Sequence, residues 1–404
     1  MKTKTLCAAV AAAFAFVPAA QLAQAQSDTG PVRIGFVADM SSVYADLDGP
    51  AGAEMMKWAA QDFGGKVLGR PIEILSADHQ NKADIAATKA REWIDQQNLA
   101  MLVGGPNSSA ALAMAKIAAD KKRPFIAVGA GSARLTNEEC TPFTVHYTFD
   151  TVSAAKVVGS SLLKAGNKTF YFLTADYQFG LQLESDATNI IKAGGGQVLG
   201  SVKHPLNASD FSSFLLQAQA SKAQVLVLAN AGGDFTNAIK AAKEFGVTPT
   251  MKPAAMVIYI NEVHALGQAN VEGLRFSDHW YWNQDEASRR FGRRFFEKFK
   301  RMPSSLQAAD YSAVTNYLKA VQQAGTTDGE KVMAVLRNMK FNDFYHKGYV
   351  RADGRVIHDM KLFEVKPVKD TTEPWDYLKV AAVVPGEQAF TLPADSKCPL
   401  MVKK

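Results

Sequence analysis

The sequence predicts an α/β protein built from two parallel sheets, each covered by helices on both faces. Three observations carry this. Short β-branched apolar runs alternate with segments of helical period. The runs are apolar throughout rather than on alternate residues, as strands buried on both faces are. A strand, a polar turn with an aromatic residue and a glycine, then a helix recurs after about 135 residues, at 34–49 and again at 170–180.

Taken in order, strands are expected at 32–37, 72–76, 100–103, 125–128, 169–173, 197–202 and 224–229. Helices are expected between them, near 51–63, 84–97, 108–122, 151–165, 180–193, 209–221 and 233–245. Residues 141–150 read as the first passage from one lobe to the other. After a run at 271–276, helices follow near 285–301, 304–324 and 328–339. In the first of these, Phe291, Phe295 and Phe299 share one face, opposite a solvated basic one. The tail from Tyr345 turns to hairpins, with Asp353-Gly354 as a turn and 361–365 as a strand. No low-complexity linker interrupts the chain, so several passages between lobes are expected and each lobe is discontinuous in sequence.

The first 25 residues carry Lys2 and Lys4, an apolar run from Leu6 to Val17, and then Ala23-Gln24-Ala25. That order reads as a secretory signal cleaved after Ala25, the apolar run being shorter than the roughly 20 residues a membrane span needs. The remaining 379 residues suit two compact units. The formal charge of +6 falls to +4 without the two leader lysines, with both signs interspersed. Nothing there asks for nucleic acid as a partner. Cys140 and Cys398, an isolated pair in an exported chain, read as a bridge rather than as reactive thiols.

Enzyme signatures are missing or malformed. Gly129-Ala130-Gly131-Ser132-Ala133-Arg134 imitates a dinucleotide fingerprint, but Arg134 stands where the third glycine belongs and the first strand lies elsewhere. The sequence has no phosphate-binding loop, no Gly-x-Ser-x-Gly and no His-Glu-x-x-His. The seven histidines show no metal-ligand spacing. In Asp278-His279-Trp280-Tyr281-Trp282 the acid and the imidazole are adjacent, so on a strand they face opposite ways and suit a core or cleft-wall cluster.

Binding is the better reading. Parallel sheets place ligands at the carboxyl ends of their strands, and five loops at such ends are rich in Gly, Ser, Tyr and Asn: 39–49, 104–109, 128–132, 174–180 and 230–234. In Gly104-Gly105-Pro106-Asn107-Ser108-Ser109 the loop opens a helix, whose free N–H groups and serine hydroxyls could seat a carboxylate. The plainer alternative is that Asn107 or Ser108 only caps the helix.

A set of stretches then falls into a familiar order: Ile34-Gly35 through Gly49, Ala77-Asp78-His79-Gln80-Asn81-Lys82, residues 104–109, Leu135-Thr136, Asp176-Tyr177-Gln178-Phe179-Gly180, Ala229-Asn230-Ala231-Gly232, Glu244-Phe245-Gly246, Tyr281-Trp282, 348–359 and Cys398-Pro399-Leu400. Over nearly all of residues 30–400 the chain resembles the periplasmic substrate-binding proteins of branched-chain-amino-acid-type ABC importers. The resemblance implies the type I periplasmic binding protein fold: two Rossmann-like, doubly wound lobes joined by three crossings, near 144–149, 276–279 and 348–355. It divides the chain into residues 26–146 with 278–350, and 147–277 with 351–404. It also implies ligand contacts at Tyr44, Ser108, Ser109, Gly129, Gly131, Ser132, Phe179 and Asn230.

One departure bears on the ligand. Family members that hold an α-ammonium do so with an acidic residue in the loop after the strand placed here at 256–260, and this chain has Tyr259 there; Asp234 and Glu262 are the possible substitutes. Tyr44, Phe179, Tyr259, Tyr147 and the aromatic residues 280–282 add flat apolar surface. The expected ligand is therefore an aromatic or other small monocarboxylate, with a branched-chain amino acid as the alternative. The expected role is capture in the periplasm by a monomer that serves a membrane ABC permease, with no metal or cofactor. A ligand sensor on the same fold is the rival from another class, and an enzyme the third reading.

Overall fold

The computed structural model describes residues 30–401, so the signal reading of residues 1–25 lies outside the described residues. The first sheet is formed by β1 (Val32–Ala38), β2 (Lys66–Val67), β3 (Arg70–Asp78), β4 (Leu99–Gly104), β5 (Phe125–Ala127) and β6 (Thr144–His146) in the order β2-β3-β1-β4-β5-β6. The second is formed by β7 (Thr169–Ala175), β8 (Gln197–His204), β9 (Val225–Ala229) and β10 (Lys252–Ala255) in the order β10-β9-β7-β8. Only the two-residue β2 runs antiparallel. The two sheets share one winding: the first strand sits between the second long strand and the third, and the fourth extends the third's side.

The central strands are uniformly apolar because both faces are covered, whereas β3 and β8 carry polar residues and are partly exposed. All residues of β4 and β9 are buried under helices α1 (Gly49–Asp62), α2 (Ala83–Gln97) and α3 (Ser108–Asp120) on the first sheet, and α6 (Gln178–Ala193), α7 (Ser212–Ala220) and α8 (Gly232–Glu244) on the second. Between the sheets the helix at 151–164, α4 (Thr151–Ala154) and α5 (Ser160–Lys164), is continuous through one π turn. Two expectations need correcting. Residues 141–150 contain β6, paired in parallel with β5, and the strand placed at 256–260 lies instead at Lys252–Ala255, registered on Val225–Leu228. Met256 to Tyr259 are apolar because they are buried where the chain leaves the sheet, and α9 (Ile260–Leu266) follows at once.

The later helices return to the first sheet. α10 (Glu286–Phe299) buries Phe291 and Phe295, while Arg294 and Lys298 pair with Asp62 and Glu54 of α1 and lie over the Trp58 ring. Its basic face is thus partly used within the molecule. α11 (Ser305–Ala324) packs along α1, and α12 (Gly329–Asn338) along α11. The tail forms two small antiparallel sheets: β11 (Arg275–Asp278) with β15 (Met360–Val365) and β16 (Leu378–Val384), and β12 (Lys340–Asn342) with β13 (Lys347–Val350) and β14 (Val356–Ile357). The turn predicted at Asp353-Gly354 is present, with Gly354 at φ +87°.

Three distant segments meet beneath the cleft. The fully buried Arg355 guanidinium donates to the carbonyls of Thr148 and Phe149 and lies 3.8 Å from Asp150. The His279 and His358 rings are 4.5 Å apart. Residues 146–150, 278–279 and 355–358 therefore run side by side. Cys140 and Cys398 are joined by a disulfide. No described helix is long and apolar enough to cross a membrane.

Candidate functional site

The carboxyl ends of the two parallel sheets face one another across a narrow cleft, closed down to a cavity of about 10 Å³, roughly the room of one water molecule. Its walls are Tyr44, Leu47, Pro106 and Gly129 from the first sheet's loops, Tyr177, Phe179, Ala231, Val257 and Tyr259 from the second's, and Phe149 from the segment between. Other surface hollows lie elsewhere; one lined by Lys240, Lys252 and Val271 is at the amino end of β10, the wrong end of the sheet for a ligand.

The first-sheet wall is built around Asp39. Its carboxylate accepts from the backbone N–H groups of Ser41 (3.2 Å), Ser42 (2.9 Å) and Tyr44 (2.8 Å), from the Ser42 hydroxyl (2.8 Å) and from the Asn81 amide (2.7 Å). Asn81 accepts in turn from Asn107 Nδ2 (3.0 Å), and Asn107 Oδ1 caps α3 at the Ala110 N–H (2.9 Å). One chain of side chains thereby locks the loops after β1, β3 and β4 and presents the Tyr44 ring. Ser108 Oγ accepts from the Ser132 N–H at 3.2 Å, tying in the loop after β5. Gly129 is required by close packing: a Cβ there would stand 2.9 Å from Pro106.

The second-sheet wall is organised differently, by acids that cap backbone. Glu262 accepts from the N–H groups of Gly232 (2.5 Å) and Tyr259 (2.6 Å), one on each oxygen. Asp234 accepts from the N–H groups of Asn207 and Ala208, both at 3.0 Å. Burial outweighs these bonds and lifts Glu262 to about 8 and Asp234 to about 6. His204 donates from Nδ1 to the Pro205 carbonyl, which leaves Nε2 to accept from Asn230 at 3.0 Å. Burial also raises Tyr44, Tyr177 and Tyr259 well above the usual phenol range, so all three remain neutral hydroxyls.

Of the residues singled out in the sequence, Tyr44, Gly129, Phe179 and Tyr259 line the cavity. Asn107, Ser108, Ser132, Asn230 and Asp234 stand one layer behind it, holding the loops in place, while Ser109 is half-buried at the first turn of α3 and Gly131 is wedged between Phe149 and Phe179. Tyr147 is placed elsewhere. Its hydroxyl lies 2.8 Å from Ser312 Oγ and accepts from Asn316, and its ring stacks on Tyr345. The aromatic run 280–282 also turns away: Tyr281 and Trp282 donate to the Trp375 carbonyl and Trp280 donates to Ser288. His279 is buried against Tyr345 and His358, outside the cavity. Asp39, Asn81, Tyr177 and Phe149 were not anticipated as site residues; the Asp-x-Ser-Ser turn at the end of β1 was the available signal for the first.

The cavity thus offers aromatic faces, neutral hydroxyls and backbone, an arrangement suited to holding a small solute. Among the described residues no cluster of three or more His, Cys, Asp and Glu side chains could hold a metal ion. Comparison with known proteins agrees in kind. A crystal structure of a periplasmic binding protein from Burkholderia mallei is 62% identical, covers 92% of this chain and 99% of that one, and superposes with a TM-score of 0.91. A branched chain amino acid ABC transporter periplasmic ligand-binding protein from Burkholderia xenovorans LB400 is 36% identical over 92% of this chain and 100% of that one, with a TM-score of 0.80. Leu/Ile/Val-binding protein homolog 6 of Brucella abortus (strain 2308) is 24% identical over 195 residues, 48% of this chain and 49% of that protein, so the chain spans about half the length of the curated relatives it matches. The periplasmic binding protein profile matches residues 31–372. With two parallel-sheet lobes facing across a cavity, and a family match over most of its length, this chain belongs to the periplasmic binding proteins of type I fold.

Proposed function

We propose that this protein is the periplasmic solute-binding component of an ABC importer, and that it captures a small aromatic or short apolar monocarboxylate for a membrane permease. Residues 26–146 with 278–350, and 147–277 with 351–404, would form the two lobes that close over it. The observation that carries the ligand class is the wall chemistry. Five aromatic rings, Tyr44, Phe149, Tyr177, Phe179 and Tyr259, surround the cavity, and the two acids that could answer an ammonium, Asp234 and Glu262, already spend both oxygens on backbone N–H groups. Burying an ammonium without a free carboxylate costs several kcal/mol. The neutral hydroxyls of Tyr44, Tyr177 and Tyr259 suit a carboxylate better.

A second reading, a branched-chain amino acid, is favoured by the 36% identity to the Burkholderia xenovorans protein; Glu262 would then ionise and share an oxygen with the ammonium. Titration calorimetry with benzoate, 4-hydroxybenzoate and leucine separates the two. Tighter binding of the aromatic acids is expected. Micromolar leucine binding with no response to either aromatic acid would reverse the assignment.

A further inference from the structure

The walls of the cavity touch each other directly on both flanks, through bonds that involve no ligand. On one flank Arg134 Nη1 donates to Gln178 Oε1 (3.1 Å), and Gln178 Nε2 donates to Ser132 Oγ (3.3 Å). On the other, the Gly233 N–H donates to the Val43 carbonyl (3.0 Å), and Asn261 Nδ2 donates to the Asp46 carbonyl (3.1 Å). Between them the Tyr44 and Tyr177 hydroxyls meet at 2.6 Å. Each bond joins a first-sheet loop to a second-sheet loop, with partners at least 44 residues apart in sequence.

Two glycines make this approach possible. A Cβ on Gly232 would stand 2.3 Å from the Val43 carbonyl oxygen, and Gly232 adopts φ +65°, where a side chain is strained in any case. A Cβ on Gly131 would stand 2.8 Å from the Phe179 ring. Backbone and ring on the opposite wall cannot yield as a flexible side-chain tip would.

We propose that these flanking contacts form a clasp that supplies part of the free energy of lobe closure, so that Gln178 and Asn261 set affinity for every ligand by a common factor without touching any. Gly131 and Gly232 are the points where closure is sterically permitted. The idea rests on the two-lobed capture reading above. Its logic is population arithmetic: affinity scales with the fraction of molecules able to close, and one hydrogen bond of ordinary net strength changes that fraction by roughly two- to tenfold. A residue on the cavity wall behaves otherwise, because it changes one ligand relative to another.

The test pairs calorimetry, using benzoate and leucine as probes, with small-angle scattering of the protein without added solute. Gln178→Ala and Asn261→Ala should each weaken whichever probe binds by roughly two- to tenfold, keep the ratio between probes if both bind, and enlarge the radius of gyration. Phe179→Ala should change the ratio. Gly232→Ala should act as a doorstop, with the largest expansion and loss, its fold checked by circular dichroism. Unchanged affinity and scattering in both clasp variants would overturn the proposal, as would a changed probe ratio in either. If neither probe binds, the monocarboxylate reading and its amino-acid rival fail together, and scattering of the clasp variants alone decides the clasp.

Discussion

Asp39 and Asp48 lie nine residues apart on the same loop, both without solvent exposure, and they could hardly differ more. Asp39 accepts five hydrogen bonds and shapes the wall that carries Tyr44. Asp48 stands at the start of α1 against Asp310 of α11, both side chains within 2.3 Å of where a Cβ on Gly52 would be. The four oxygens of that pair find no donor among the described residues beyond a proton of their own. Burial pushes Asp48 up to about 6 and raises Asp310 well above the ordinary carboxylate range. Burying a carboxylate with five donors makes a scaffold; burying two together with none favours their protonated form.

Removing the scaffold should have the largest effect. Asp39→Ala strands the N–H groups of Ser41, Ser42 and Tyr44, and a loss of about 3–5 kcal/mol in denaturant unfolding is expected, together with loss of solute binding. Asp39→Asn keeps the shape but puts an NH2 group where donors need an oxygen, so it should cost nearly as much; a much smaller loss would show that one accepting oxygen is enough to hold the turn.

Asp310→Asn should act in the opposite direction and only at higher pH. Both groups stabilise the fold fully below the unfolded carboxyl value near 4; Asp48's contribution is lost as pH rises through about 6, and that of Asp310, raised well above the ordinary range, is lost as pH rises through its own raised value. Asparagine removes one of the two charges and offers Asp48 a donor. Unfolding free energies at pH 8 should therefore rise by up to about 3 kcal/mol, with little change at pH 4. A variant less stable than the parent at pH 8 would show the pair to be satisfied in some other way.

The smallest effect is expected at the start of α3. Ser108→Ala with Ser109→Ala removes two hydroxyls at the first turn of α3, behind the cavity wall, one of them accepting from the Ser132 N–H. About tenfold weaker binding of a monocarboxylate, with stability lowered by about 1 kcal/mol, is expected from net hydrogen-bond strengths. Unaltered binding would leave the carboxylate seat to the tyrosine hydroxyls.

The same contrast explains what the sequence made legible. Strand and helix positions were readable because burial on both faces leaves a local mark, as in the unbroken Val225–Ala229. β10 was not, since Lys252 and Pro253 are poor strand residues placed by register on β9, while the apolar residues just after it looked more strand-like. Tyr44 and Phe179 were readable through the family resemblance and Tyr259 through its departure from it, and all three lie on the cavity wall. Tyr147 was misplaced for want of its partners, Ser312 and Asn316, which lie 165 and 169 residues away. Asn81 went unnoticed for a like reason, its bond to Asp39 spanning 42 residues.

The disulfide carries a consequence for timing. Its two sulfurs are separated by 258 residues, a stretch that includes all of the second sheet. Cys140 is synthesised long before its partner, so the bridge can form only after the residues of the second sheet have been made. A chain cut short before Cys398 would keep Cys140 without its partner.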